Sequence, residues 1–312
     1  MKNYLKNLFT FAFLFFNMQM FGQVYTGGHT WIDHELGLIQ HPIGWDEVWG
    51  GFPCDYCGGG NNPNASGVIR TIMTYNLHKD VDTTYAANGK LIKSTGADVV
   101  AIQEINRFAW LTNFQDLKNN AEMNGKFLRT MHMVVGRYGI AILYKSSLGS
   151  PSIVKKRVDT SSSDTDGTRG YIIAQFSNFT VVSTHLATGS GGDKEMMIDA
   201  ILNESKVKNG DKPVFIAGDM NFAPTNSALR TLFSNKFFYL LNNEAKDPAD
   251  NSKYLDATRP SGEMIDLIFA NRAWKYRLIG RGIPAGAHVP NSFSYSDHLP
   301  YFVKVKLLGY FP

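Results

Sequence analysis

The sequence predicts an α+β fold, a four-layer α/β/β/α sandwich of two packed mixed β-sheets. Two observations predict it. Short apolar runs rich in Val, Ile, Phe and Tyr recur from Val68 to the end of the chain, and few helical stretches interrupt them. So many strands with so few helices argue against a doubly wound parallel sheet and for two sheets packed face to face, with helices outside.

The runs are VIRTIMTYN, DVVAIQEI, YGIAILYK, YIIAQFS, FTVVSTHL, PVFIAGDM, MIDLIFA and YFVKVKLL. Each has the length of a strand and is bounded by turn residues. Helices are expected over Phe108–Met123, Lys194–Val207 and Asn226–Phe233; the last follows Pro224-Thr225, a helix-start signal. Lys155, Lys156 and Arg157 read as a solvated edge, with a phosphate-backbone contact as the alternative. Gly189 to Gly192 reads as a loop; no GK[ST] follows it, so it is not a phosphate-cradling loop.

Three regions are expected. Residues 1–22 carry Lys2 and Lys6, then the apolar run Leu8 to Phe16 and the small Gly22, the layout of a secretory signal peptide. The chain is therefore expected to be exported, secreted or periplasmic, with an N-terminal anchor as the alternative. Residues 23–66 form an irregular extension rich in Trp and Gly, packed by Trp31, Trp45 and Trp49. Residues 67–312 are expected to form the main domain.

The 312 residues carry 31 Lys and Arg against 27 Asp and Glu. Lys2 and Lys6 lie in the leader, so the remainder is close to balanced, and a strongly basic nucleic-acid binder is excluded. The two cysteines, Cys54 and Cys57, are read first as a local disulfide in an oxidising compartment, with idle thiols or a redox-active pair as the alternatives. Nearby His29, His34 and His41 match no standard zinc spacing.

The chemistry lies at the strand ends. Asn76 ends the first run, Gln103 and Glu104 the second, and His185 follows FTVVST. Asp219 and Asn221 close PVFIAG, Asp266 lies within EMIDLIF, and Asp297-His298 precede the last run. Polar groups at strand ends can converge on one edge of a sandwich without entering its core. Glu104, Asp219 and Asp297 are hard oxygen donors, and Asn76 and Asn221 add neutral oxygen, a mixture suited to Mg²⁺, with Mn²⁺ as the alternative. Catalytic zinc is disfavoured for want of a third His or a Cys.

Asn76, Gln103-Glu104, His185-Leu186, Gly218-Asp219-Met220-Asn221, Asp266 and Ser296-Asp297-His298, in this order, resemble the endonuclease/exonuclease/phosphatase superfamily over about residues 68–308. That superfamily includes deoxyribonuclease I, exonuclease III-type AP endonucleases, neutral sphingomyelinases and inositol polyphosphate 5-phosphatases. The resemblance implies a deoxyribonuclease I-like fold. It makes Glu104 the principal metal ligand, with Asp297 and Asn76 helping to hold the ion or its waters. Asp219 and Asn221 would orient the attacking water and the phosphate. His298, oriented by Asp266, would act as general base or electrostatic partner, and His185 would bind phosphate or protonate the leaving group. Arg169 matches an arginine that could contact phosphate, and Tyr138-Gly139 matches a structural strand-start pattern. His78 stands where some relatives carry an acid or amide. HMVVGRYGIAIL lacks the glutamate that supports the matching histidine in deoxyribonuclease I.

The expected activity is cleavage of a phosphodiester, foremost in nucleic acid, by a monomer that needs no protein partner. A second reading keeps the centre and changes the substrate to a phospholipid such as sphingomyelin or to a small phosphate ester, with membrane lipid as partner in the first case. A third is a binding protein without catalysis.

Overall fold

The computed structural model describes residues 31–33, 38–40, 67–78, 85–106, 110–130, 138–161, 168–189, 191–208, 212–271, 276–284, 287 and 296–307. The expected leader, most of the extension with Trp45 and Trp49, and Cys54 and Cys57 lie outside these residues. Within the extension, β1 (Trp31–Asp33) and β2 (Leu38–Gln40) pair antiparallel.

The chain then runs through β3 (Val68–Asn76), α1 (Tyr85–Ser94), β4 (Val99–Asn106), α2 (Trp110–Ala121), β5 (Asn124–Arg129) and β6 (Tyr138–Tyr144). Next come β7 (Ser152–Asp159), β8 (Thr168–Gln175), β9 (Thr180–His185), α3 (Gly191–Leu202), α4 (Ser205–Lys208) and β10 (Val214–Asp219). The last elements are α5 (Ser227–Asn235), β11 (Phe238–Leu240), β12 (Lys246–Asp247), β13 (Asp250–Tyr254), β14 (Asp266–Asn271), β15 (Tyr276–Gly282) and β16 (Tyr301–Leu307).

One six-stranded sheet has the order β15-β16-β3-β4-β6-β5 and the other β11-β14-β10-β9-β8-β7; β12 and β13 form a separate ribbon. Both large sheets are mixed. Among the described residues only β3/β4 and β9/β10 are parallel, and each pair is joined through helix, as a parallel connection requires.

Strand periodicity sorts the side chains into layers. Along β3, Ile72 points between the sheets, whereas Met73 and Tyr75 point outward beneath α1 and α2. Along β10, Phe215 and Ala217 face the other sheet, and Ile216 faces the helical layer of α3 to α5. Central strands buried on both faces read as unbroken apolar runs. Phe233 of α5 stacks on Phe269 of β14 with ring centroids 3.9 Å apart, tying an outer helix to its sheet. These are the four expected layers.

All eight predicted strands are present. The third predicted helix begins one residue later than expected, because Asn226 is its cap and accepts a hydrogen bond from the Leu229 amide. The second is divided into α3 and α4. α1 went unpredicted because YAANGKLIKS places Asn88 and Gly89 in its interior, where both disfavour helix. Packing overrides propensity there: a Cβ on Gly89 would lie 2.7 Å from the Leu117 carbonyl oxygen, so only glycine lets α1 approach α2 so closely. β7 carries Lys155, Lys156 and Arg157 on a sheet edge, the setting where charged strands are tolerated. Among the described residues no helix is long and apolar enough to cross a membrane.

Candidate active site

Strand register brings distant residues into line. Arg157 of β7 pairs with Gly170, Gly170 with His185, His185 with Asp219, and Asp219 with Asp266, in one row across five strands. Directly opposed residues share a face, and this row faces the other sheet. Gly218 sets the spacing just before Asp219. A Cβ there would come 2.0 Å from the Thr184 carbonyl oxygen.

The other sheet supplies Asn76 and Glu104. Ile102 pairs with Ala141 and Ile105 with Gly139, so β4 carries an extra residue, and Glu104 takes a left-handed φ of 58°. Regular alternation would turn Gln103 and Glu104 to opposite faces. The bulge turns both toward the sheet interface, where Thr74 Oγ1 donates to Gln103 Oε1 and Asn76 Nδ2 donates to Glu104 Oε1 at 3.1 Å. The same Asn76 Nδ2 donates to Asp219 Oδ2 at 2.9 Å, bridging the sheets.

Short polar loops complete the site. Asp219 Oδ1 accepts from the Asn221 amide, while Asn221, at φ 50°, donates from Nδ2 to the Leu186 carbonyl. Asn76 Oδ1 accepts from the His78 amide. Such Asx-type turns suit Asn and Asp, which tolerate left-handed backbone. Ser296 Oγ donates to the Asn76 carbonyl and accepts from the His298 amide, which locks the last loop onto β3. His298 Nδ1 lies 2.7 Å from Asp266 Oδ2, and its Nε2 lies 3.8 Å from Asp219 Oδ2. Asp266 is fully buried and held through its backbone by Thr258 Oγ1 and Asn242 Nδ2.

His185 Nε2 is 3.6 Å from Asp219 Oδ2 and 3.9 Å from Glu104 Oε1. Arg169 Nη1 lies 3.2 and 3.3 Å from the two His185 ring nitrogens. One atom can approach both that closely only over the ring face, so the guanidinium covers the imidazole. Arg169 is 1% exposed. It lies buried against His185 and supports that ring.

The expected metal ligands divide. Asn76 and Glu104 touch, and Asp219 joins them. Glu104, His185 and Asp219 each offer an atom within 4.8 Å of the others, as do Asp219, Asp266 and His298. Asp297 belongs to neither group. Its Oδ2 accepts from Arg259 Nη2 at 3.2 Å, and its Oδ1 lies 3.8 Å from His78 Nδ1 and 3.9 Å from His298 Nε2. A cation fits beside Glu104 and Asp219, because two carboxylate oxygens there converge on a single amide donor. Asp266 Oδ1 is buried without a partner among the described residues.

Charge follows from this crowding. Burial pulls the His298 imidazole down, but the Asp266 carboxylate, aided by Asp219 and Asp297, outweighs it and pushes it up to about 10. Burial pushes Asp219 up to about 6 against the pull of His298. Without a cation at the site, these carboxylates favour the protonated imidazolium. Part of the upward push comes from Asp219 and Asp297, whose charge a nearby cation would offset.

A family model described as Endonuclease/Exonuclease/phosphatase family matches residues 73–298, which span every residue of this cluster. The chain belongs to that family. Members of the Endonuclease/Exonuclease/phosphatase family are divalent-metal-dependent hydrolases of phosphoesters. A family protein from Bacteroides vulgatus superposes with a TM-score of 0.58 at 20% identity, covering 77% of this chain and 99% of that one. ANGEL2, a 2',3'-cyclic phosphatase, gives 0.59 at 17% identity, covering 78% and 96%. A mannosyl-6-phosphatase from Bacteroides thetaiotaomicron gives 0.56 at 15%, covering 76% and 99%. No curated protein matches the chain by sequence. At these identities the superpositions establish the deoxyribonuclease I-like fold.

Sequence reasoning missed Thr258, Asn242 and Arg259, which no strand-end pattern marks. Thr258 and Asn242 act through backbone hydrogen bonds that form only in the folded chain. Ser296 lay inside the SDH motif without a role, and His78 becomes a neighbour of Asp297.

Proposed function

We propose that this family member is an exported, Mg²⁺-dependent phosphodiesterase that cleaves nucleic acid. The single observation carrying the chemistry is the His298–Asp266 contact, with His298 Nε2 directed at Asp219. Asp266 fixes Nδ1 and leaves Nε2 as the reacting nitrogen. Glu104 and Asp219, with Asn76 and His185 beside them, would hold the ion, and Asp297 remains a ligand in the expected set. When bound, Mg²⁺ supplies positive charge against that developing on the phosphoryl oxygens. Asp219 Oδ2, set between the two histidines, can hold the attacking water and accept its proton. Asn221 keeps the loop after Asp219 in place, and His185 faces the same space from the other side to bind phosphate or protonate the leaving oxygen.

Nucleic acid is favoured by a basic edge. Lys155 and Arg157 of β7 lie on the face that turns toward β5, and Arg157 Nε donates to the Arg129 carbonyl. Burial, and then the nearby Lys126, pull the Lys155 amine below its usual range. Arg157 stands in the His185–Asp219 row, so a backbone bound at the site could run along this edge. Export rests on Lys2, Lys6 and the Leu8 to Phe16 run.

A second reading, hydrolysis of a small phosphate ester, draws support from the mannosyl-6-phosphatase and the 2',3'-cyclic phosphatase that share the fold. The test is a substrate panel with Mg²⁺: plasmid DNA, RNA, bis-p-nitrophenyl phosphate, mannose 6-phosphate and sphingomyelin vesicles, beside His298→Ala. Nicking of plasmid that His298→Ala abolishes is expected. Turnover of mannose 6-phosphate alone would replace the nuclease reading.

A further inference from the structure

We propose that Arg259 binds the substrate phosphate, exchanging part of its contact with Asp297 for the non-bridging oxygens of the bound ester. The proposal rests on the phosphoester reading and names a residue for it.

The site is rich in carboxylates. Asp219, Asp266 and Asp297 surround His298, Glu104 shares the Asn76 amide with Asp219, and a phosphate entering among them needs cationic donors. Arg169 is buried against His185. Arg259, by contrast, is partly exposed, with 37% of its side chain accessible. Its Nη2 donates to Asp297 Oδ2 at 3.2 Å, and the other oxygen of that carboxylate lies 3.9 Å from His298 Nε2. The guanidinium therefore stands one carboxylate away from the nitrogen assigned to the chemistry.

Two further features point to a ligand. Arg259 Nε is buried with no acceptor among the described residues. A guanidinium offers five donors in a planar fork suited to paired oxygens, and Asp297 Oδ2 is the one side-chain acceptor it meets among the described residues. Its position is also fixed. The Arg259 amide donates to the Glu263 carbonyl, the Gly262 amide donates back to Arg259, and the Leu299 amide donates to the Thr258 carbonyl. Thr258 in turn holds the Asp266 amide. One turn thus sets both the His298 partner and the arginine.

The experiment measures inorganic phosphate binding by calorimetry in Mg²⁺, together with KM and kcat on bis-p-nitrophenyl phosphate. Arg259→Gln should weaken phosphate and raise KM by about ten- to a hundredfold, the range of one hydrogen bond between charged partners, with a much smaller fall in kcat. Arg259→Lys, which keeps the charge and loses the fork, should recover part of the affinity. Measured without Mg²⁺, beside Arg259→Gln under the same conditions, Asp297→Asn should leave phosphate affinity intact or tighter, because it releases the guanidinium. Arg277→Gln, on exposed β15 opposite Lys306 at the far end of the sheet, should change nothing. Unchanged phosphate affinity in folded Arg259→Gln overturns the proposal, as does equal weakening in Arg259→Gln and Asp297→Asn, which would make Arg259 a support for Asp297. If Arg259→Gln fails to fold, full phosphate affinity in Arg259→Lys with KM unchanged overturns it. Arg259-dependent phosphate binding without turnover of any ester would sink the hydrolase reading and leave the arginine assignment standing.

Discussion

Asp266→Asn is the sharpest probe of the site. The substitution keeps shape and removes the charge that faces His298 Nδ1 at 2.7 Å. A hydrogen bond to a charged group contributes about 1.5–3 kcal/mol, equivalent to roughly one to two pKa units. The His298 imidazole, held up to about 10 in the wild type, should fall by that amount. Without the carboxylate Nδ1 loses its charged acceptor and the ring its fixed orientation, so kcat should drop by about 10²–10⁴-fold. Stability follows with a definite sign. A folded-state pKa raised above the ordinary imidazole value of 6.5 stabilises fully below that value, and the gain is lost as pH rises toward 10. The stability gap between wild type and Asp266→Asn should therefore be widest below about pH 6 and narrow toward pH 10. Nitrogen-detected NMR titration of His298 and urea melts across that range are the assays. An unshifted His298 titration, or wild-type turnover in the variant, would refute the coupling.

Saturating Mg²⁺ should raise Tm more at pH 7.5 than at pH 5, by on the order of 5–10 °C at the higher pH, because protons compete for Asp219 below about 6; an equal rise at both pH values would remove Asp219 from the ion site. Gly218→Ala should lower stability by about 1–3 kcal/mol or more, since its methyl meets the Thr184 carbonyl oxygen rather than a movable side chain; calorimetry showing an unchanged Tm would contradict that packing. Lys155→Glu should weaken DNA binding and flatten its salt dependence by about one unit of slope, while bis-p-nitrophenyl phosphate turnover stays unchanged. The same salt slope in that variant would take DNA off the basic edge.

The strands of this protein were legible because they are buried on both faces, which leaves continuous apolar runs bounded by turns. The chemical residues were legible because polar groups at the ends of such runs have no role in the core. Elements whose stability comes from neighbours were not. α1 exists through the close approach at Gly89, and β7 survives its three cations by lying on an edge. Arg259 falls in a turn where arginine is unremarkable along the chain, and it gains meaning only from Asp297 across the fold.

By itself the sequence determined the layered sandwich, the identity of the strand-end acids, amides and imidazoles, and the family they mark. Tertiary structure decided how they meet. A one-residue bulge turned Glu104 inward, register set His185, Asp219 and Asp266 in one row, and Arg169 was buried against His185. The physical reason is range: patterning and propensity act over a few residues, whereas contacts such as Asn76 with Asp219 join groups 143 residues apart and exist only after both sheets have packed.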